Sequence, residues 1–319
     1  MTVRRYHEAS RLLPGGLTGI HVQDAIDVAP AGGTVQLAAR EYLLDAPIVL
    51  RGGVRLKGRG STLRVVSPVE SAVLVTAGTL EQVAVDCAEL AEHGITATKA
   101  HGRDILRAVS VRGAVGYGID LVACASARLD RVVVVDSGAG LRARGCNASQ
   151  VTMLHVARCA ATGLRIEACP EQSYWGGVHV SGGVIEHCAG DSVVVDSVQG
   201  DCSVERLYLE SCRGEAGGGV IVHGRGVVID RVSVRGMLGE DQTQRAVWVR
   251  EGAVGTVIRD CLLAYQGGGQ DPPYWRFAAI RDDGTETHVA GCCRPAPFNT
   301  PPAVERPVTQ VEQVTEVPK

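Results

Sequence analysis

Val73-Leu74-Val75, Ile95-Thr96-Ala97, Ile119-Asp120-Leu121, Leu141-Arg142-Ala143, Leu164-Arg165-Ile166, Val193-Val194-Val195, Val220-Ile221-Val222 and Val247-Trp248-Val249 are one phrase written eight times, at intervals of 22 to 29 residues. Each places two apolar residues on either side of one residue that points the other way. Such period-two alternation marks a strand with one buried face. A second phrase recurs between the first: Val83-Ala84-Val85, Val109-Ser110-Val111, Val132-Val133-Val134, Leu154-His155-Val156, Leu207-Tyr208-Leu209 and Val232-Ser233-Val234. Recurrence of this length marks a solenoid, whose units bury their apolar faces only by stacking on one another. Two or three short strands per unit, Gly-rich turns and no helical stretch between them predict an all-β, right-handed, single-stranded parallel β-helix. A leucine-rich repeat lacks its signature here, and a propeller blade needs about 40 residues or more.

Composition agrees. Forty Gly, many Val and two Phe among 319 residues suit narrow rungs whose interiors admit small branched side chains. A net charge of −3 gives no basic footprint, so nucleic acid is not expected as a partner. No apolar run is long enough to span a membrane, and the arginines near the start precede no apolar stretch, so no secretory signal is read and synthesis in a cytoplasm is expected. The eleven cysteines fall into files. Cys124, Cys146 and Cys169 share one repeat position, and Cys159, Cys188 and Cys212 share another, as stacked, reduced, buried thiols do. Cys292-Cys293 has no second pair at zinc spacing, so no metal is expected. No cofactor motif is present.

Four segments follow. Residues 1–33 read as an irregular lead-in and a short amphipathic helix from His21 to Ala29, stopped by Pro30-Ala31-Gly32-Gly33. That helix is expected to cover the open end of the solenoid, since a bare terminal rung offers strand edges to other chains. Residues 34–266 carry the β-helix. Residues 267–293 read as a terminal cap, with a hairpin around Asp283-Gly284, and residues 294–319 as a Pro-rich extended tail.

The order Asp24-Ala25-Ile26, Gly32-Gly33-Thr34-Val35, Tyr42-Leu43-Leu44, Ile48-Val49-Leu50 and Val54-Arg55-Leu56-Lys57-Gly58-Arg59-Gly60 resembles the entry module of the pectin-lyase-like β-helix superfamily, which includes phage tailspikes and depolymerases. The resemblance implies a protein that binds or cleaves an acidic or branched cell-surface polysaccharide, as a glycoside hydrolase or a lyase. It implies a homo-oligomer, a trimer in the spike type, assembled with other virion proteins. The same fold also hosts non-catalytic virion parts and bacterial lyases or isomerases. The polygalacturonase, pectate-lyase and epimerase residue patterns are not found.

Stacking puts equivalent positions about 4.8 Å apart. On that basis Glu186 and Glu210 are neighbours in one outward file and the candidate catalytic pair, at the spacing a retaining glycosidase uses. Tyr174, Trp175 and His179, in the insertion before Glu186, with His155 and Tyr208 beside the file, are the candidate sugar-binding residues, since ring faces pack on sugars. The competing reading is a surface ladder, because Asp86 and Arg112, and Glu210 and Arg235, sit as opposite charges on adjacent rungs. Arg144, Glu167, Asp196, His223 and Arg250 form a further outward file, read as solvated ion pairs. Val194, Ile221 and Trp248 form an outward apolar strip, read as covered by residues 270–319 or by another subunit.

Overall fold

A computed structural model describes residues 6–8, 19–101, 104–169, 176–214, 219–235, 245–263, 280–292 and 304–305, with the side chains of 6–8, 176, 197–199 and 305 excepted. Every strand pairing is parallel, and each joins one rung to the next. The chain is a parallel β-helix with three faces. Face A begins with Thr34–Gln36, face B with Glu41–Leu44 and face C with Ile48–Leu50. The first phrase of each repeat lies on face C, which stacks eleven strands. The second phrase lies on face B. Val, Leu and Ile from all three faces fill one continuous interior.

The corner between faces A and B is a single residue. Long strands such as Gly78–Asp86, Asn147–Ala157 and Ser203–Glu210 run through it without a break. Gln82, Ala108, Arg131, Met153, Arg206, Arg231 and Asp260 occupy it at φ of 50 to 56°. Left-handed backbone costs an L-residue roughly 1–2 kcal/mol. The ladder holds it there, because the corner amides still bond the next rung: Ala108 N–H to Asp130 O at 2.8 Å, and Arg131 N–H to Thr152 O at 2.9 Å.

Helix Gly19–Val28 is present, with Gly19, Val22 and Ile26 buried. Its Gln23 side chain accepts from Val49 N–H at 2.8 Å and donates to Val49 O at 3.3 Å. It thereby stands in for a missing strand beside Ile48–Leu50, and the terminal edge is covered as expected. Three readings of the ends need correction. The lead-in is not wholly irregular, since Tyr6–Glu8 pairs with Thr34–Gln36. There is no hairpin around Asp283-Gly284. Ile280–Asp282 continues face C beside Val247–Val249, and His288–Ala290 continues face A beside Val257–Arg259, so the rungs extend past residue 266. Val304–Glu305, assigned to the extended tail, pairs with Ile280 and Arg281 as a further face C strand. Parallel addition satisfies the exposed strand edge, which a local hairpin would leave bare.

The ten described cysteines are free and buried. No helix among the described residues is long and apolar enough to cross a membrane.

Candidate functional site

On face B, Glu186 and Glu210 are in register on adjacent rungs, as stacking requires. Each is already engaged. His155 Nε2 lies 3.4 Å from Glu186 Oε1, with the two side chains 43% and 28% exposed. Glu210 bonds the Tyr208 phenol, whose pKa is raised by burial first and by that carboxylate second. Arg235 lies 5.8 Å from the centre of the Tyr208 ring. The same face carries Asp86 with Arg112 at 2.6 Å and Asp136 with Arg158 at 2.7 Å. The glutamates therefore continue a cross-rung ladder, Glu186 through His155.

The other sequence candidates divide. His155 and Tyr208 flank the glutamates as read. His179 does not join them. It sits on face A, bonded through Nδ1 to Ser203 Oγ at 3.0 Å, with the Gly182 corner between it and Glu186. Tyr174 and Trp175 lie outside the described residues.

Face C holds a cluster that the sequence reading did not single out. Asp120, 3% exposed, receives both prongs of Arg142, from Nε at 2.9 Å and from Nη2 at 2.8 Å. His93 Nδ1 accepts the Tyr117 backbone N–H at 3.3 Å, which turns the opposite ring edge, Nε2, to Asp120 Oδ2 at 3.9 Å. The Arg142 guanidinium lies 4.4 Å from the Tyr117 ring centre. Burial, the largest cause, raises the Tyr117 phenol above its ordinary pKa, so it remains a proton donor. The chain of charge continues upward. Arg142 reaches Glu167 at 3.9 Å, Arg165 bonds both Glu167 and Asp196, and His223 Nδ1 meets Asp196 Oδ1 at 3.1 Å. One network thus crosses six successive strands, from His93 to His223. Arg144, in the file of Glu167 and Asp196, has a buried Nε without a hydrogen-bond partner.

Burial separates the two faces. The Asp120–Arg142 pair is 3% and 18% exposed, whereas Asp136–Arg158 is 54% and 56% exposed. Exposed pairs contribute about 0–1 kcal/mol and follow cheaply from stacking. Half-buried charge carries a desolvation cost that ordinary rungs do not need. The sequence signal for this cluster was Tyr117-Gly118-Ile119-Asp120 followed one repeat later by Arg142, two polar outward files converging on one rung pair. On the strands of Asp196 and His223, Val194 and Ile221 are 9% and 4% exposed in the single chain and pack with Trp248. Two of the strip's three members are thus buried within one chain, and Trp248 stays half-buried.

Neither a sequence-family model nor a curated protein matches the chain. Solved structures do. A protein of Geobacillus virus E2, ORF18, superposes at a TM-score of 0.69 with 13% identity, over 93% of this chain and 63% of its own, so the present chain spans less than two thirds of that protein. The A-module of the Azotobacter vinelandii mannuronan C-5 epimerase AlgE6 superposes at 0.66 with 14% identity, over 95% of this chain and all of the module. The Dettilon tailspike protein superposes at 0.59 with 10% identity, over 95% of this chain and 68% of its own. At such identities the likeness establishes the fold. The chain is a parallel β-helix of the architecture these viral and polysaccharide-modifying proteins share.

Proposed function

We propose that this chain is a tailspike-type β-helix that binds an acidic cell-surface polysaccharide along face C. The observation that carries the reading is the half-buried network from His93 to His223. It sets arginine side chains, histidine edges and the Tyr117 phenol along the helix axis, the direction in which a linear glycan lies over successive rungs. The Arg144 guanidinium, in the file of Glu167 and Asp196, adds a further cation for an anionic sugar. Tyr117 beside Arg142 gives the site a proton donor next to a cation, groups that general-acid chemistry on a negatively charged sugar can use. The viral and epimerase neighbours support this reading by fold.

Binding of purified acidic capsular and exopolysaccharides, measured by calorimetry, tests it. At least one binds the wild type, and Arg144→Gln weakens that binding about tenfold, equivalent to about 1.4 kcal/mol, while Glu186→Gln leaves it unchanged. A panel that shows no binding contradicts the proposal.

A second reading rests on the in-register pair on face B, where Glu186 and Glu210 act as acid and nucleophile in glycan cleavage. It predicts release of reducing ends by the wild type and none by Glu186→Gln at unchanged melting temperature. Spike-type trimer formation belongs to the proposal, and light scattering that returns a monomer mass contradicts that part.

A further inference from the structure

A surface groove of about 590 Å³ opens at the corner between faces B and C. Its lining climbs the solenoid rung by rung, from Glu89 through Val115, Asp136 and Arg158 to His187. The ladder fixes that order, since Glu89 N–H bonds Gly113 O, Gly113 N–H bonds Asp136 O, Asp136 N–H bonds Ala157 O and Arg158 N–H bonds Glu186 O. At a strand spacing of about 4.8 Å the groove runs roughly 19 Å along the axis, the length of a short oligosaccharide.

Three kinds of group meet in it. Arg158 donates to Asp136 from Nε to Oδ1 at 2.7 Å and from Nη2 to Oδ2 at 3.0 Å. That fork leaves Arg158 Nη1 and the outer lone pairs of the carboxylate for a ligand. The hydrogen bond from Arg158 holds the Asp136 carboxyl below its ordinary 3.8, so at neutral pH it only accepts. On the preceding rung Val115, 55% exposed, presents an apolar surface, and Ala160 adds little bulk beyond the pair. The groove also adjoins the face C network. Val115 stands two residues before Tyr117, and Glu89 two residues before the strand Ala91–Thr98 that carries His93.

We propose that this groove holds neutral sugar units, so that the polymer bound by the chain is mixed, with uncharged units at the corner beside acidic units on face C. A neutral sugar needs acceptors and donors for its hydroxyls and an apolar surface for its C–H face, and the groove supplies all three. An anionic unit fits less well, because Glu89 and Asp136 meet it with Arg158 as the one permanent cation of the lining. The inference rests on the reading of the chain as a glycan binder, but not on where the acidic units lie.

Saturation-transfer NMR on the full chain tests this with neutral tetrasaccharides of α-linked glucose, β-linked glucose, mannose and galactose. At least one is expected to bind the wild type. Its affinity, read by titration, is expected to fall about tenfold in Arg158→Gln, which removes a charged donor, and to fall as well in Ala160→Leu, which fills the groove. Arg144→Gln, on face C, is expected to leave it unchanged. Either groove variant suffices if the other melts early. Binding of none of the four overturns the proposal, as does binding that survives in a folded groove variant or is lost equally in Arg144→Gln. Failure of the acidic panel with neutral binding retained strikes the face C reading alone.

Discussion

Gly118 lies outside the left-handed region, yet a Cβ built there falls inside contact distance of Val134 Cγ1. Gly94, Gly140 and Gly163 hold the same place in their rungs and face Val111, Val156 and Ile185. Face C begins where the inner side chains of face B already fill the interior, so only hydrogen fits. Gly118→Ala therefore overpacks the core and is expected to destabilise by about 1–3 kcal/mol. Ala108 is the converse, held at φ 50° in the corner between faces A and B. A glycine there relieves left-handed strain, so Ala108→Gly is expected to be neutral or stabilising, against the usual cost of about 0.5–1 kcal/mol for glycine in a strand. Denaturant melts of both variants read the opposite signs directly. The glycine before five of the eight face C phrases stands in the sequence, but its cause was not legible there, because the side chains that exclude a methyl group come from another face. The corner file was illegible altogether. Gln82, Ala108, Arg131 and Met153 share no chemistry, and only the ladder makes them equivalent.

Strands carry their charges in the same way. Asp230 closes one face A strand. Its carboxyl is held below the ordinary 3.8, first by its hydrogen bond to Arg231 in the corner and further by Arg259 on the next rung, against the opposing pull of burial. A folded-state pKa lowered in this way contributes stability that is complete above the ordinary aspartate value and is lost as pH falls through the folded value. Thermal melts are expected to drop as the pH is taken below about 4, and Asp230→Asn to flatten that drop. A wild-type melting temperature that stays level through that window contradicts the assignment. Sequence reading found some such pairs within one file, as with Asp86 and Arg112. It did not pair Asp120 with Arg142, although they share a file, and it missed His93 and Tyr117, which join them from a second file.

Over the whole molecule, the stacked faces and the capping helix were readable because apolar spacing alone specifies them. The far end was not. Ile280–Asp282, His288–Ala290 and Val304–Glu305 are short pieces whose partners are the exposed edges of the preceding rungs, and sequence carries no local sign of that. Trp248 ties this end to the body, with the guanidinium carbons of Arg250 and Arg281 at 4.5 and 4.6 Å from its ring centre and its Nε1–H bonded to Asp283 at 2.8 Å. Deleting residues 294–319 removes the Val304–Glu305 strand and bares the edge of Ile280–Asp282. The truncated chain is expected to aggregate more readily, measured by light scattering on heating.

Face C is the surface proposed to meet the glycan. Hydrogen–deuterium exchange with and without a bound acidic polysaccharide tests this most directly. Protection is predicted over Ala91–Thr98, Tyr117–Val122, Ala139–Arg144 and Leu164–Glu167, four of the six strands that carry the network. Protection confined to the face B ends of Gly176–Glu186 and Ser203–Glu210, with face C unchanged, would contradict it.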